Sequence, residues 1–198
     1  MTIDGIRTYS TWKDYQYIEV ENRPIHIFDN LYSAADRERL YSFCSTRNFT
    51  TDGSDTARLE YKGDFNLYSN IIGKQLTDSG FLELENTKYL TELLTGYEII
   101  QARVNLSTLH DRNRFHCDAA GGNDVRTILY YPNMEWNREW GGYTLFTNQQ
   151  SHKLEYCSFY IPGRVILFDG TIPHCISSPS ITAPTYRFSF VIQYFKSK

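Results

Sequence analysis

The sequence predicts a mainly β fold, an antiparallel sandwich or barrel flanked by N-terminal helices. Three observations predict it. After residue 97 come six short β-branched or aromatic runs, with turn residues between them. The chain is rich in flat side chains, with 16 Tyr and 12 Phe, which pack well on a pleated surface. Before residue 97 the pattern changes to helix-start signals and apolar residues spaced for one helical face.

The elements follow in order. "IHIFDNLYS" (25–33) reads as a short strand and turn. Ser33 is placed to cap the next segment, "AADRERLYSFCST", with acidic Asp36 three residues on, as in a capping box. Leu40, Tyr41, Phe43 and Cys44 then cluster on one helical face. Residues 49–68 are polar, with two glycines and several acids, and read as a long loop, either a lid or binding loop or a plain surface loop. A second helical region is expected over 69–95. The strands are expected at 97–108, 125–131, 141–146, 155–161, 164–168 and 187–195, with breaks at Pro132-Asn133, Gly141-Gly142, Pro162-Gly163 and Asp169-Gly170. No repeat, low-complexity tract or linker divides the chain. One domain over 1–198 is expected, with helical support about 31–95 and a β core about 97–195.

Charge and composition exclude several roles. The net charge is −3 and the pI about 5.9, with no basic stripe, so no nucleic-acid partner is expected. No run approaches the roughly 20 apolar residues of a membrane span. The start, "MTIDGIRTYS", lacks a signal peptide's apolar core. Cys44, Cys117, Cys157 and Cys175 make no Cys-x-x-Cys pair, so reduced thiols and a cytoplasmic setting are expected.

The chemistry begins at "RFHCDAAGGND" (114–124). On an extended chain i and i+2 share a face, so His116 and Asp118 project together and Cys117 points away. His174, in "LFDGTIPHCISS", follows an apolar strand and a tight turn, and can return beside them as a third ligand. Two histidines and one carboxylate form the facial triad of non-heme Fe(II) oxygenases and leave coordination positions open; the same ligands suit Mn, Co and Ni. His-x-Asp alone is a weak signal. It gains weight from "TYRFSF" (185–190), where Arg187 and Ser189 share one strand face. A guanidinium fork beside a hydroxyl makes a carboxylate clamp.

In this order the motifs resemble the Fe(II)/2-oxoglutarate-dependent dioxygenase superfamily, and within it the prolyl 4-hydroxylase-like branch. The matching stretches are "HCD" at 116–118, "TILYYPNMEW" at 127–136, "GGYTLF" at 141–146, "PGRVILFDG" at 162–170, His174 and "RFS" at 187–189. "IFDNLYSAADRERL" is similar to that branch's opening strand and helix. The resemblance implies a double-stranded β-helix, the cupin-like jelly roll. It implies Fe(II) held by His116, Asp118 and His174, with O2 and 2-oxoglutarate as cosubstrates and ascorbate as an optional reductant. It places 2-oxoglutarate against Arg187, Ser189, Tyr131 and Asn105. Arg187 stands where collagen-type prolyl hydroxylases carry Lys, which leaves the subfamily open. In this superfamily halogenases lack the carboxylate ligand, so Asp118 implies hydroxylation, with release of succinate and CO2. The implied partner is a prolyl residue in a peptide or a small amino-acid-like molecule.

Other residues are weaker candidates. Arg103 shares a strand face with Asn105 and is placed to meet an anionic substrate, and Trp136 and Trp140 either line a substrate entrance or cap one end of the barrel. His26 reads as a structural strand residue, His110 and His152 as solvated, and Cys117 and Cys175 as packing residues. Two further classes stay open against the hydroxylase: a metal-binding cupin-type jelly roll without redox chemistry, serving as sensor or isomerase, and a nucleic-acid demethylase. The clamp at Arg187 disfavours the former, and the acidic balance disfavours the latter.

Overall fold

In the computed structural model, which describes residues 13–51, 67–109, 111, 114–119, 124–183 and 185–196, one strand defines the two faces of the architecture. That strand, "RFSFVIQYFK", runs Arg187–Lys196. Phe188, Phe190, Ile192 and Tyr194 alternate to one side and are buried in an aromatic core. Arg187, Ser189, Val191 and Gln193 alternate to the other side.

The order of elements is β1 (Tyr15–Val20), β2 (Arg23–Phe28), α1 (Ala34–Ser45), β3 (Thr50–Thr51), β4 (Leu67–Asn70), α2 (Lys74–Asp78), α3 (Glu85–Glu92), β5 (Glu98–Ser107), β6 (Asp124–Tyr130), β7 (Thr144–Thr147), β8 (Leu154–Ser158), β9 (Val165–Asp169), β10 (His174–Ile176) and β11 (Arg187–Lys196). Eight strands make one sheet in the order β1-β2-β9-β6-β11-β5-β4-β3, and three make a second, β10-β7-β8. Every pairing is antiparallel. The fold is thus mainly β with a few helices, as expected. Among the described residues no helix is long and apolar enough to cross a membrane.

Helix α1 begins as its sequence demands. The Ser33 hydroxyl accepts from the Asp36 amide at 3.2 Å and donates to the Asp36 carboxylate at 2.6 Å. Leu40 and Cys44, one turn apart, bury against the aromatic core, and Tyr41 and Phe43 pack on Phe188 and Phe190. Each fully buried aromatic or aliphatic side chain contributes about 1.5–3 kcal/mol. Phe81, from the turn before α3, fits edge-on between Tyr32 and Phe190. The large sheet therefore carries its helices on one face and turns the other toward the small sheet. A second core of Ile27, Leu129, Tyr131, Phe146, Ile166 and Phe168 belongs to that inner side.

Three expectations shift in detail. The helical region 69–95 is two short helices separated by a turn, with Gly73 and Gly80 both at positive φ. The segment 49–68 starts and ends in paired strands, Thr50 opposite Tyr68 and Thr51 opposite Leu67, and 52–66 lie outside the described residues. Strand β1 is an addition: it pairs with β2 through a tight turn at Glu21 and Asn22, φ 52° and 61°.

Candidate metal centre

Hydrogen bonds between backbones bring the distant ligands together. His116 and His174 form an isolated antiparallel bridge, with N–H to carbonyl distances of 3.0 and 2.9 Å in the two directions. Directly opposed residues project their side chains to the same face. The two imidazole centroids lie 4.5 Å apart. The Asp118 amide donates to the Gly170 carbonyl at 2.8 Å, which fixes the carboxylate beside both rings. One Asp118 oxygen is 3.8 Å from His116 Nε2 and the other is 3.7 Å from His174 Nε2. All three residues offer a ligand atom within 4.8 Å of the others.

Backbone carbonyls also orient both imidazoles. His116 Nδ1 faces the Arg114 carbonyl at 3.0 Å and His174 Nδ1 faces the Ile172 carbonyl at 2.9 Å. A carbonyl only accepts, so each Nδ1 carries the proton and each Nε2 presents its lone pair inward. Burial is the main cause that lowers the His174 pKa, and His116 lowers it further, against opposing contributions from Asp118 and the Ile172 carbonyl. This favours the neutral form of His174, the form that metal binding requires. Thr127 Oγ1 donates to Asp118 Oδ2 at 2.5 Å and holds the carboxylate's orientation. Two imidazoles and one acidic side chain converging on one point fit Fe(II), with positions left open for other ligands.

The triad opens into a cavity of about 260 Å³. Its walls include Gln101, Arg103 and Asn105 of β5, Thr127 and Leu129 of β6, Thr144 of β7, Phe168 of β9, and Val191 and Gln193 of β11. Strand register orders them in rows: Gln101, Gln193 and Thr127 across one level, then Arg103, Val191 and Leu129 across the next.

Directly behind Thr144 lies a buried cation. Arg187 is fully buried; its Nε donates to the Gly142 carbonyl at 2.7 Å and its Nη2 to Thr144 Oγ1 at 3.4 Å. Nη1 is buried and has no hydrogen-bond partner among the described residues. Tyr131 donates to the same Thr144 hydroxyl at 2.7 Å, and the guanidinium lies over the Tyr131 and Tyr160 rings at 5.2 and 4.8 Å. Burial lowers the Arg187 pKa from its ordinary value, although the neighbouring tyrosines oppose this. A buried charge with an idle donor is expensive to keep in a fold. An anion arriving beside Thr144 would relieve it. Asn105 Nδ2 reaches Ser189 Oγ at 3.5 Å, and this pair extends the polar wall toward the triad.

No protein-family model matches the sequence, and no curated protein matches it. Solved structures do. A Pseudomonas putida prolyl-4-hydroxylase is similar over 98% of this chain and 97% of its own, with TM-score 0.63 at 14% identity. A prolyl hydroxylase from Trichoplax adhaerens, in complex with a peptide fragment of the hypoxia inducible factor oxygen degradation domain, is similar over 96% of this chain and 87% of its own, with TM-score 0.62 at 16% identity. The α-ketoglutarate-dependent epimerase SnoN of nogalamycin biosynthesis is similar over 96% of this chain and 82% of its own, with TM-score 0.66 at 11% identity. The chain has the fold of the 2-oxoglutarate–Fe(II) oxygenases.

Within that oxygenase fold the expected residues distribute unevenly. His116, Asp118 and His174 converge, and Asn105 and Arg103 line the same cavity. Arg187, Ser189 and Tyr131 are buried behind the wall, reached through Thr144 and Asn105. Trp136 and Trp140 are absent from the described cavity lining. Trp136 donates from Nε1 to the Gly141 carbonyl and packs between Tyr160, tilted, and Trp140, edge-on, so this pair packs the far side of the Arg187 enclosure. Cys117 contributes to the cavity wall, but its thiol donates to the Thr171 carbonyl at 3.3 Å, and Cys175 is buried. His26 pairs with Tyr15 on β2, as a structural residue, and His110 lies outside the described residues. Thr127, Thr144, Gln101 and Gln193 are functional candidates not singled out from the sequence. Thr127 shares a strand face with Tyr131, and that parity was the available signal.

Proposed function

We propose that the chain is an Fe(II)- and 2-oxoglutarate-dependent dioxygenase on a double-stranded β-helix, hydroxylating a prolyl residue or a small amino-acid-like molecule. The observation that carries this reading is a His-Asp-His cluster at the cavity wall together with a buried guanidinium behind that wall, one nitrogen of which has no hydrogen-bond partner among the described residues. A metal-binding sensor has no use for the second. The prolyl hydroxylases among its structural neighbours support the substrate class, and one of them is in complex with a peptide.

In this reading His116 Nε2, Asp118 and His174 Nε2 hold the iron. Arg187 receives the distal carboxylate of 2-oxoglutarate, with Tyr131, Thr144, Ser189 and Asn105 closing around it. Bound iron and cosubstrate supply the oxidising chemistry: one O2 and one 2-oxoglutarate convert a substrate C–H to C–OH, with succinate and CO2 released. The chain's own work is positioning. The Arg114 and Ile172 carbonyls keep both imidazoles in the ligating tautomer, and Thr127 keeps the carboxylate from swinging. Leu129, Phe168 and Val191 give the cavity apolar walls that limit water.

The test is succinate formation from 2-oxoglutarate in air with Fe(II) supplied. The wild-type protein should release succinate at a rate that rises with substrate, and His174→Ala should abolish it. Absence of succinate above a protein-free control would overturn the proposal.

A further inference from the structure

We infer that Arg103 is the docking point for a free carboxylate on the prime substrate, which is therefore a small acid of amino-acid size. This rests on the oxygenase reading and narrows its substrate class. Arg103 lines the same 260 Å³ cavity as the triad. Its Nη2 donates to the Gln101 side-chain oxygen, and its buried Nε has no hydrogen-bond partner among the described residues. No carboxylate among the described residues pairs with it, and its aromatic neighbour is the Tyr68 ring at 5.9 Å. A cation that faces a cavity with a spare donor and no counter-ion is built to receive an anion. The guanidinium edge offers parallel donors that match a carboxylate.

Arg103 is separate from the cosubstrate anchor. Arg187 sits opposite Ser107 on β5, four residues beyond Arg103 and about 13 Å along the strand at ~3.3 Å per residue. The triad lies in another direction from Arg103. Thr127, which holds Asp118, is on β6, two strand spacings or about 10 Å across the sheet from β5. Arginine and aspartate side chains fill much of that span. What remains is the length of a small molecule. Gln193, in register with both Thr127 and Gln101, places an amide between the two ends that can accept from an ammonium or donate to a hydroxyl. The cavity is also below the roughly 300–1,000 Å³ typical of drug-sized ligands. A residue within a peptide presents a neutral amide where the carboxylate would stand, and leaves the Arg103 charge uncompensated.

The experiment uses the full chain loaded with diamagnetic Zn(II) and saturating 2-oxoglutarate, so that no turnover occurs. The arginine Nε–H resonances are followed by NMR, with Arg103 assigned by its loss in Arg103→Gln. The probes are the twenty free L-amino acids and their primary amides. At least one acid should shift the Arg103 resonance saturably while its amide does not. Arg103→Gln should weaken that acid on the order of 100-fold, the loss of a charged hydrogen-bonded pair, with 2-oxoglutarate binding within twofold of wild type. If no acid moves the resonance, or an amide binds as tightly as its acid, the inference is overturned while the oxygenase reading stands. If the wild-type protein fails to bind 2-oxoglutarate at all, both fall.

Discussion

Replacing Arg187 with Met separates what the buried cation does for the fold from the role proposed for it in binding 2-oxoglutarate. The native guanidinium is fully buried; it donates to the Gly142 carbonyl and the Thr144 hydroxyl, and Nη1 has no hydrogen-bond partner among the described residues. Methionine fills similar space and removes the desolvation penalty of the charge, several kcal/mol. It leaves the Gly142 carbonyl without its donor, a cost of about 1–3 kcal/mol. The two effects oppose, so the ligand-free unfolding temperature should move little. The ligand-induced shift should move a great deal. Two charged hydrogen bonds to a carboxylate, at about 1.5–3 kcal/mol each, set a loss of roughly 10²–10⁴ in affinity. At 2-oxoglutarate equal to ~100 times the wild-type Kd, the native protein gains about 2.7 kcal/mol. That is a rise of roughly 5–11 °C for a chain of this size. The variant should gain about 0.4 kcal/mol or less, roughly 1–2 °C at most. The assay is thermal unfolding with Zn(II), with and without 2-oxoglutarate. A variant shift equal to the wild-type shift would refute the clamp.

Other perturbations probe the support of the site. Thr127→Val removes the hydroxyl on Asp118 Oδ2 while keeping shape, and should lower metal affinity about 10–100-fold in a competition titration with little change in fold. An unchanged affinity would mean Asp118 orients itself. In Gly170→Ala the new Cβ would stand 2.8 Å from Val125 Cγ1 and 3.2 Å from Asp118 Cβ, so stability should fall by about 1–3 kcal/mol and metal binding should weaken with it. Gly142→Ala brings a Cβ to 2.9 Å from Arg187 Cδ at a φ of 73°, and should weaken 2-oxoglutarate while metal affinity holds. His26 is pushed down to about 4 from its ordinary 6.5, chiefly by burial and then by Arg126. Its folded pKa lies below the unfolded one, so between those values the unfolded chain binds the extra proton and stability falls as pH falls. The urea midpoint should therefore drop on acidification through that window, and His26→Gln should flatten the slope.

Strand alternation was readable from the sequence because it is local. Residues 187–195 alternate without a break, and β11 divides its two faces accordingly. The Ser33 cap was readable for the same reason, since a helix start depends on residues three apart. Strand β1 was hidden because its turn uses Glu21 and Asn22 at positive φ in place of the usual glycine. The metal cluster was visible as residue types, but its closure was not. Parity groups His116 with Asp118, yet what aligns them with His174 is a two-bond bridge and the Gly170 carbonyl, contacts across more than 50 residues. Thr127 carries no signal of its own, because a threonine in a strand is ordinary until a carboxylate lies 2.5 Å away. The position of Arg187 behind Thr144 likewise depends on how β7 crosses the large sheet.

One anaerobic titration tests the proposed iron and 2-oxoglutarate site most directly. Fe(II) added to the protein with 2-oxoglutarate should develop a weak visible metal-to-keto-acid charge-transfer band that saturates at one iron per chain. His174→Ala should abolish the band, and Arg187→Met should require far more 2-oxoglutarate to reach it. A band that persists in His174→Ala, or never forms in the wild-type protein, would contradict the proposal that the triad holds iron and the buried arginine anchors 2-oxoglutarate.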